Sequence, residues 1–152
     1  MNKKDIFYDE LCLSIYTMNR YFHQLYQIVL GEYELTYLQY MVLLNIKQQG
    51  KCTLGVICRN LDLDTNTLTP VVKKLMTKKW IKREKSVSDG RSFELFLTSN
   101  AEQRFELIQI EIAKIQAKLI GNDQQQFTKI LGQAHTLNNR VLELIDELAN
   151  KK

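Results

Sequence analysis

The chain has 152 residues, 45% of them apolar and 25% charged, which fits one globular domain with a real core and leaves little room for a second. No apolar run is long enough to span a bilayer, and Met1 to Asp5 lead into mixed polar sequence rather than a signal peptide's apolar stretch, so the expected location is the cytoplasm, with no membrane partner. The net charge of +4 is local: residues 1–69 carry six Lys/Arg against seven Asp/Glu and residues 92–152 seven against eight, whereas residues 70–91 carry eight against two.

In chain order, Leu11, Ile15, Met18, Phe22, Leu25 and Val29 alternate steps of four and three, predicting a first helix from about Asp5 to Gly31 with one apolar seam. Thr36-Tyr37-Leu38-Gln39 reads as a capping box for a second helix ending at Gly50, with Leu38, Met41, Val42 and Ile46 on its buried side. Thr53 is placed to cap a short third helix, Leu54 to Asn60, with Leu54, Ile57 and Leu61 facing in, before a polar turn at Leu61 to Asp64. A fourth helix begins between Asp64 and Thr69, and Pro70 implies an early boundary or a kink. Its inner face is Leu68, Val71, Val72, Leu75 and Met76, which leaves Thr65, Asn66, Thr67, Thr69, Lys73 and Lys74 largely outward.

Trp80 to Lys85 and Ser92 to Leu97 read as two strands, the second alternating at Phe93, Leu95 and Leu97, joined by a hairpin tip at Ser86 to Arg91. Thr98 or Ser99 caps a fifth helix with a seam at Phe105, Ile108, Ile112, Ile115 and Leu119, and Gly121-Asn122-Asp123 ends it. A sixth helix repeats the pattern at Phe127, Ile130, Ala134, Leu137, Val141, Leu144 and Leu148. The expected fold class is mainly α with a small β-wing. It is a single domain over 1–152, with a winged helix-turn-helix lobe at 36–98 and dimerisation helices at 5–31 and 99–148. The seams of the first, fifth and sixth helices call for a second copy of the chain, the alternative being packing within one chain.

The basic residues of 70–91 are Lys73, Lys74, Lys78, Lys79, Lys82, Arg83, Lys85 and Arg91, against Glu84 and Asp89. A basic stripe releases counterions when it neutralises phosphates; alone it would read as a solvated helix face, but on a helix-turn-helix it implies double-stranded DNA. Three cysteines, Cys12, Cys52 and Cys58, cannot all pair in one chain, and their spacing from His23 and His135 matches no zinc site. Cys52 and Cys58 read as small core residues and His23 as a surface or interface histidine. No Ser/His/Asp set, carboxylate pair or Gly-rich phosphate loop is visible, so neither an enzyme nor a cofactor is expected.

Asp89-Gly90-Arg91 followed by Phe93-Glu94-Leu95-Phe96-Leu97-Thr98 resembles the wing motif of the MarR family of dimeric winged-helix transcription regulators. Leu63 to Leu75 is similar to the recognition-helix segment of its thiol-based redox-sensing branch, the organic hydroperoxide resistance regulator OhrR with MgrA and SarZ. Leu11-Cys12 near Tyr16, and Leu35-Thr36-Tyr37-Leu38-Gln39-Tyr40, resemble two further segments of that branch, with Leu38 standing where the family has proline. The resemblance runs from the start to about residue 105. It implies a recognition helix in the major groove, a wing in the adjacent minor groove, and a pseudo-palindromic operator with half-sites roughly 10 bp apart. The residues assigned to DNA are Thr65, Asn66, Thr67, Thr69, Lys73, Lys74, Arg83, Asp89 and Arg91, with Asp89 bracing Arg91 rather than touching DNA.

The resemblance also implies that Cys12 senses hydroperoxide while held by Tyr26 and Tyr37 of the opposite subunit. Helix geometry agrees with a contact between subunits, since Cys12 and Tyr26 lie about 21 Å apart along one straight helix. The implied chemistry is oxidation to a sulfenic acid and capping by a small thiol, followed by release of DNA, with the protein usually a repressor. With no cysteine after Cys58, the disulfide that some relatives form through a second cysteine late in the fifth helix is excluded. An alternative in the same fold is release by a small apolar or phenolic ligand in the cleft between dimer helices and DNA-binding lobes, with Cys12 as packing. One from another class is a helical adaptor whose basic stripe binds acidic protein.

Overall fold

The computed structural model describes residues 3–151, with side chains from residue 9 onward; Met1, Asn2 and the side chains of Asp5 and Tyr8 lie outside the described residues. Six helices and a small sheet follow in the order α1 (Lys3–Leu30), a 3-10 turn (Gly31–Tyr33), α2 (Tyr37–Gln49), β1 (Cys52–Thr53), α3 (Leu54–Leu61), α4 (Thr65–Thr77), β2 (Ile81–Lys85), β3 (Phe93–Leu97), α5 (Ser99–Ile120) and α6 (Gln124–Ala149). The fold is mainly α with a β-wing, a winged helix-turn-helix. The described residues up to Ile112 form one compact unit, and Ala113 onward forms a second.

In the first unit α2, α3, α4 and α5 each start where a side chain takes up a free amide. Thr36 accepts from the Gln39 amide at 3.2 Å while the Gln39 side chain accepts from the Thr36 amide at 3.0 Å, a complete capping box. Thr53 accepts from the Val56 amide at 3.4 Å to open α3, and Asp64 accepts from the Thr67 amide at 2.7 Å to open α4. Asp62 adopts a left-handed φ of 52°, which ends α3 and turns the chain into Leu63. α4 begins five residues before Pro70 and runs through it, so the boundary is set by Asp64 and not by the proline.

One expectation for α2 needs correction. Its buried residues are Gln39, Tyr40, Val42, Leu43 and Ile46, while Leu38 and Met41 are half-buried. Gln39 goes inside because its carbonyl is satisfied by the Thr36 amide, so burial leaves that oxygen no unmet bond. The strand of Cys52 and Thr53 was also unforeseen: it pairs with Leu95 and Glu94 and makes β3 the middle of a three-stranded antiparallel sheet, order β1-β3-β2. β2 pairs with β3 from Ile81 opposite Leu97 to Lys85 opposite Phe93. Leu95 and Leu97 are buried, but Phe93 is exposed, with the Arg83 guanidinium lying 4.7 Å from its ring centre.

The core of this unit is built from Trp80, Phe105, Leu30, Leu35, Leu43, Ile46, Ile57, Leu68, Leu75 and Ile108, all fully enclosed. Thr98 caps α5 by accepting from the Ala101 amide at 3.1 Å, and the helix then buries Ala101, Phe105, Ile108 and Ile112. The second unit holds the rest of α5 and α6, separated by Gly121 at φ +65° and the Asp123 cap. α6 buries none of its side chains, so Ile130, Leu137, Val141, Leu144 and Leu148 are all exposed, as is Leu119 of α5.

Two measurements test this account. Thr36→Ala removes one half of the capping box and is expected to cost about 1 kcal/mol in urea unfolding. The Asp64 carboxyl is held below its ordinary pKa, first by the Thr67 amide, so its contribution is present above the unfolded value and lost as pH falls through the lowered folded value. Acid unfolding of Asp64→Asn should therefore show a shallower pH dependence below about pH 4 than wild type; identical curves would deny the cap this role.

Candidate DNA-binding surface and thiol site

The turn from α3 to α4 presents Thr65, Asn66 and Thr67 exposed on the first turn of α4. Cys58 of α3 is half-buried behind them, its Sγ 3.9 Å from the Thr65 hydroxyl. Thr69 is half-buried and its hydroxyl donates to the Thr65 carbonyl at 2.7 Å, so only its oxygen lone pairs and methyl remain for another partner. Lys73 and Lys74 are exposed further along the helix.

A groove of about 500 Å³ separates α4 from the wing. Thr69, Lys73, Arg83 and Asp89 line it together with Leu54, Val72, Met76, Phe93 and Leu95, so four of the nine expected DNA-binding residues share one concave surface. At the wing tip the Asp89 carboxylate accepts from the Arg91 backbone amide at 3.1 Å, and the Asp89 carbonyl accepts from the Ser92 amide and hydroxyl at 3.0 and 3.1 Å. The bracing of Arg91 by Asp89 is thus a backbone turn, which leaves the guanidinium exposed at the tip.

The residues expected around the thiol separate into two places. Cys12 is exposed on α1 among exposed Leu11, Leu13, Ile15 and Tyr16. Tyr26 and Tyr37 meet each other, their ring centres 5.0 Å apart and nearly perpendicular. Around them His23 lies 4.9 Å from Tyr37, Tyr40 lies 6.0 Å from Tyr26, and Phe105 stacks on Tyr40 at 5.5 Å. Burial, and then the neighbouring Tyr26, pushes the Tyr37 phenol up; burial, Tyr26 and Tyr37 push Tyr40 up to about 12. Tyr37 and Tyr40 therefore keep their protons at neutral pH and remain donors. Cys12 and Tyr26 belong to one unbroken helix, about 21 Å apart along its axis, so the thiol does not reach Tyr26 of its own chain.

Cys52 is buried in β1, and burial followed by nearby Glu94 pushes its thiol up, away from the reactive thiolate. Among the described residues no group of three or more His, Cys, Asp or Glu is placed to hold a metal ion. Sequence reasoning missed Tyr40 and Phe105 as parts of the tyrosine cluster. The seven tyrosines falling within the first 40 residues were the available signal for Tyr40; nothing local announces Phe105, whose seam position marks only burial.

Comparison with known proteins agrees with this geometry. The family described as transcriptional regulator SarA/Rot matches residues 24–109. The chain is 28% identical to the HTH-type transcriptional regulator SarZ of Staphylococcus saprophyticus over 87% of its own length and 88% of that protein. With SarZ of Staphylococcus aureus it shares 31% identity over 72% of each chain. AbfR, a Staphylococcus epidermidis protein, superposes in its reduced, DNA-bound form with a TM-score of 0.81 and 32% identity, covering 95% of this chain and 99% of that one. AbfR has also been solved overoxidised on DNA and with a disulfide formed. Winged helices on capped turns, a basic stretch split between helix and wing, and matches across most of the length lead to one conclusion: the chain belongs to the SarA/Rot family of transcriptional regulators, as a MarR-like, DNA-binding member of the SarZ/OhrR branch.

Proposed function

We propose that this regulator acts as a homodimer, usually as a repressor, and leaves its operator when Cys12 is oxidised. The observation that carries the reading is the Tyr26–Tyr37 pair, preassembled within one chain yet about 21 Å along α1 from that chain's thiol. An antiparallel crossing of two α1 helices would bring each thiol to the other chain's pair. The exposed apolar residues of α1 and α6, Leu11, Ile15, Met18, Ile130, Val141 and Leu148 among them, are surface that a second copy would cover.

The chemistry follows from protonated phenols. Hydroxyls donating to Cys12 favour its thiolate, which attacks the distal oxygen of a hydroperoxide. The S–O bond forms as the O–O bond breaks; cysteine becomes a sulfenic acid and the peroxide leaves as an alkoxide that takes a proton. A small thiol then condenses with the sulfenic acid, forming a mixed disulfide and releasing water. Each addition enlarges the group set against Tyr26 and Tyr37, which sit on α1 and α2, and so alters the spacing of the two recognition helices. AbfR, solved reduced and overoxidised on DNA and with a disulfide, supports a redox reading for this branch. On the DNA side, Thr65, Asn66, Thr67 and Thr69 would meet base edges or phosphates, Lys73, Lys74 and Arg83 phosphates, and Arg91, braced by Asp89, an A·T-rich minor groove. We place this activity in the cytoplasm, with no cofactor, metal or enzymatic step.

Operator duplexes selected by the protein from a random pool provide the test. Organic hydroperoxide should release wild type and leave Cys12→Ser bound; equal release of both would sink the thiol mechanism and favour a small-ligand effector. Tyr26→Phe and Tyr37→Phe should each slow peroxide release about tenfold, the equivalent of one lost hydrogen bond to a charged group, with DNA affinity of the reduced protein unchanged. Arg91→Ala should weaken operator binding and lower the salt slope by about one, with no effect on Cys12 oxidation measured by mass spectrometry.

A further inference from the structure

The basic stretch of 70–91 does not form one surface. Ile81 is buried, so the pleat of β2 sends Arg83 to the face that covers Phe93 and lines the groove beside α4, and Lys82 to the opposite face. There Lys82 joins Lys78, Lys79 and Arg104 around a second open groove of about 610 Å³, together with Thr98 and Asn100. No carboxylate lines it. It lies at the C-terminal end of the 13-residue α4, about 20 Å along the helix from the exposed Thr65.

Arg104 makes this more than a cluster of mobile lysines. Its guanidinium lies 4.3 Å from the centre of the buried Trp80 ring and 5.8 Å from that of Tyr33, so aromatic faces hold the cation in place. The acids nearest it on α5, Glu102 and Glu106, are turned to Lys47 at 3.9 and 3.6 Å. Lys78 is likewise tethered, its ammonium donating to the Glu34 carbonyl. A guanidinium fixed by stacking keeps its N–H edge for a planar or tetrahedral oxyanion, and ammonium groups add charge without competing for that geometry.

We propose that this groove binds a small, multiply charged phosphate compound, of which pyrophosphate is the simplest probe. Concavity favours a small anion over the duplex backbone, and Thr98 contributes shape only, since its hydroxyl already donates to the Lys79 carbonyl and accepts from the Ala101 amide. Lys79, Lys82, Asn100 and Arg104 are the donors.

Calorimetric titration of the full chain with pyrophosphate, at constant ionic strength, tests the assignment. Saturable binding of one equivalent per chain is expected, weakened about tenfold or more by Lys82→Gln and by Arg104→Gln and unchanged by Arg91→Gln. Lys82→Gln sits on an exposed strand face and keeps the test valid should loss of the Trp80 stack unfold Arg104→Gln. Absence of saturable binding to wild type, equal affinity in all variants, or loss with Arg91→Gln would overturn the proposal. Displacement of pyrophosphate by a random-sequence duplex in the Arg91→Gln background would also overturn it, because the groove would then belong to DNA phosphates.

Discussion

The DNA-binding lobe is held by one threonine. The backbone amide of Thr98 donates to the Trp80 carbonyl at 3.1 Å, its hydroxyl donates to the Lys79 carbonyl at 2.9 Å, and the same oxygen accepts from the Ala101 amide at 3.1 Å. Those three bonds join the end of α4, the root of the wing and the first turn of α5. Lys79 sits there at a left-handed φ of 60°, a conformation that costs a residue with a Cβ roughly 1–2 kcal/mol. It is held by its own amide bonding the Met76 carbonyl, and by the Trp80 amide bonding Leu75. With Trp80 enclosed beneath it, the joint makes recognition helix and wing move with the start of α5 as one body.

That rigidity decides how charge is displayed. Eight basic residues within 22 positions would repel one another on a single face, and the fold divides them instead. Lys73 and Arg83 face the groove between helix and wing, while Lys78, Lys79 and Lys82 gather near Arg104. Glu84, one of two acids in the stretch, pairs with Lys51, whose ammonium also lies 5.1 Å from the Phe96 ring centre. The other, Asp89, serves the wing-tip turn. Among the described residues no ion pair is seen between either acid and Lys73 or Arg83, although the Asp89 carboxylate lines the same groove as they do.

Elements whose signals are local were legible in the sequence. The capping box at Thr36, the Thr53 and Thr98 caps, the inner face of α4 and the wing strands all follow from short patterns, and each is present. What failed was set by tertiary pairing. Cys52 and Thr53 form a strand only because Leu95 and Glu94 lie beside them, more than 40 positions away. Leu38 and Met41 fit the apolar period but yield the interior to Gln39 and Tyr40, one satisfied by a cap and the other stacked on Phe105. The likeness to the MarR family's redox branch led to Tyr26 and Tyr37, and the structure brings those two together; Arg104 had no comparable signal, because its role comes from rings at positions 33 and 80.

The tyrosine pair also explains why a thiol placed where Cys12 is would need two chains. A straight helix converts sequence separation into distance without exception, and 14 residues of α1 are too long to fold back. Tyr26 packs against both Tyr37 and Tyr40, and Tyr40 in turn stacks on Phe105, so the cluster is assembled within one chain. In the proposed dimer each chain then contributes a rigid donor pair to one site and a reactive atom to the other. An oxidant reaching one thiol must push on two helices of the opposite chain, and α2 of that chain packs on its own α4. In that dimer, strain introduced at the thiol would reach the recognition helix of the opposite chain through packed side chains.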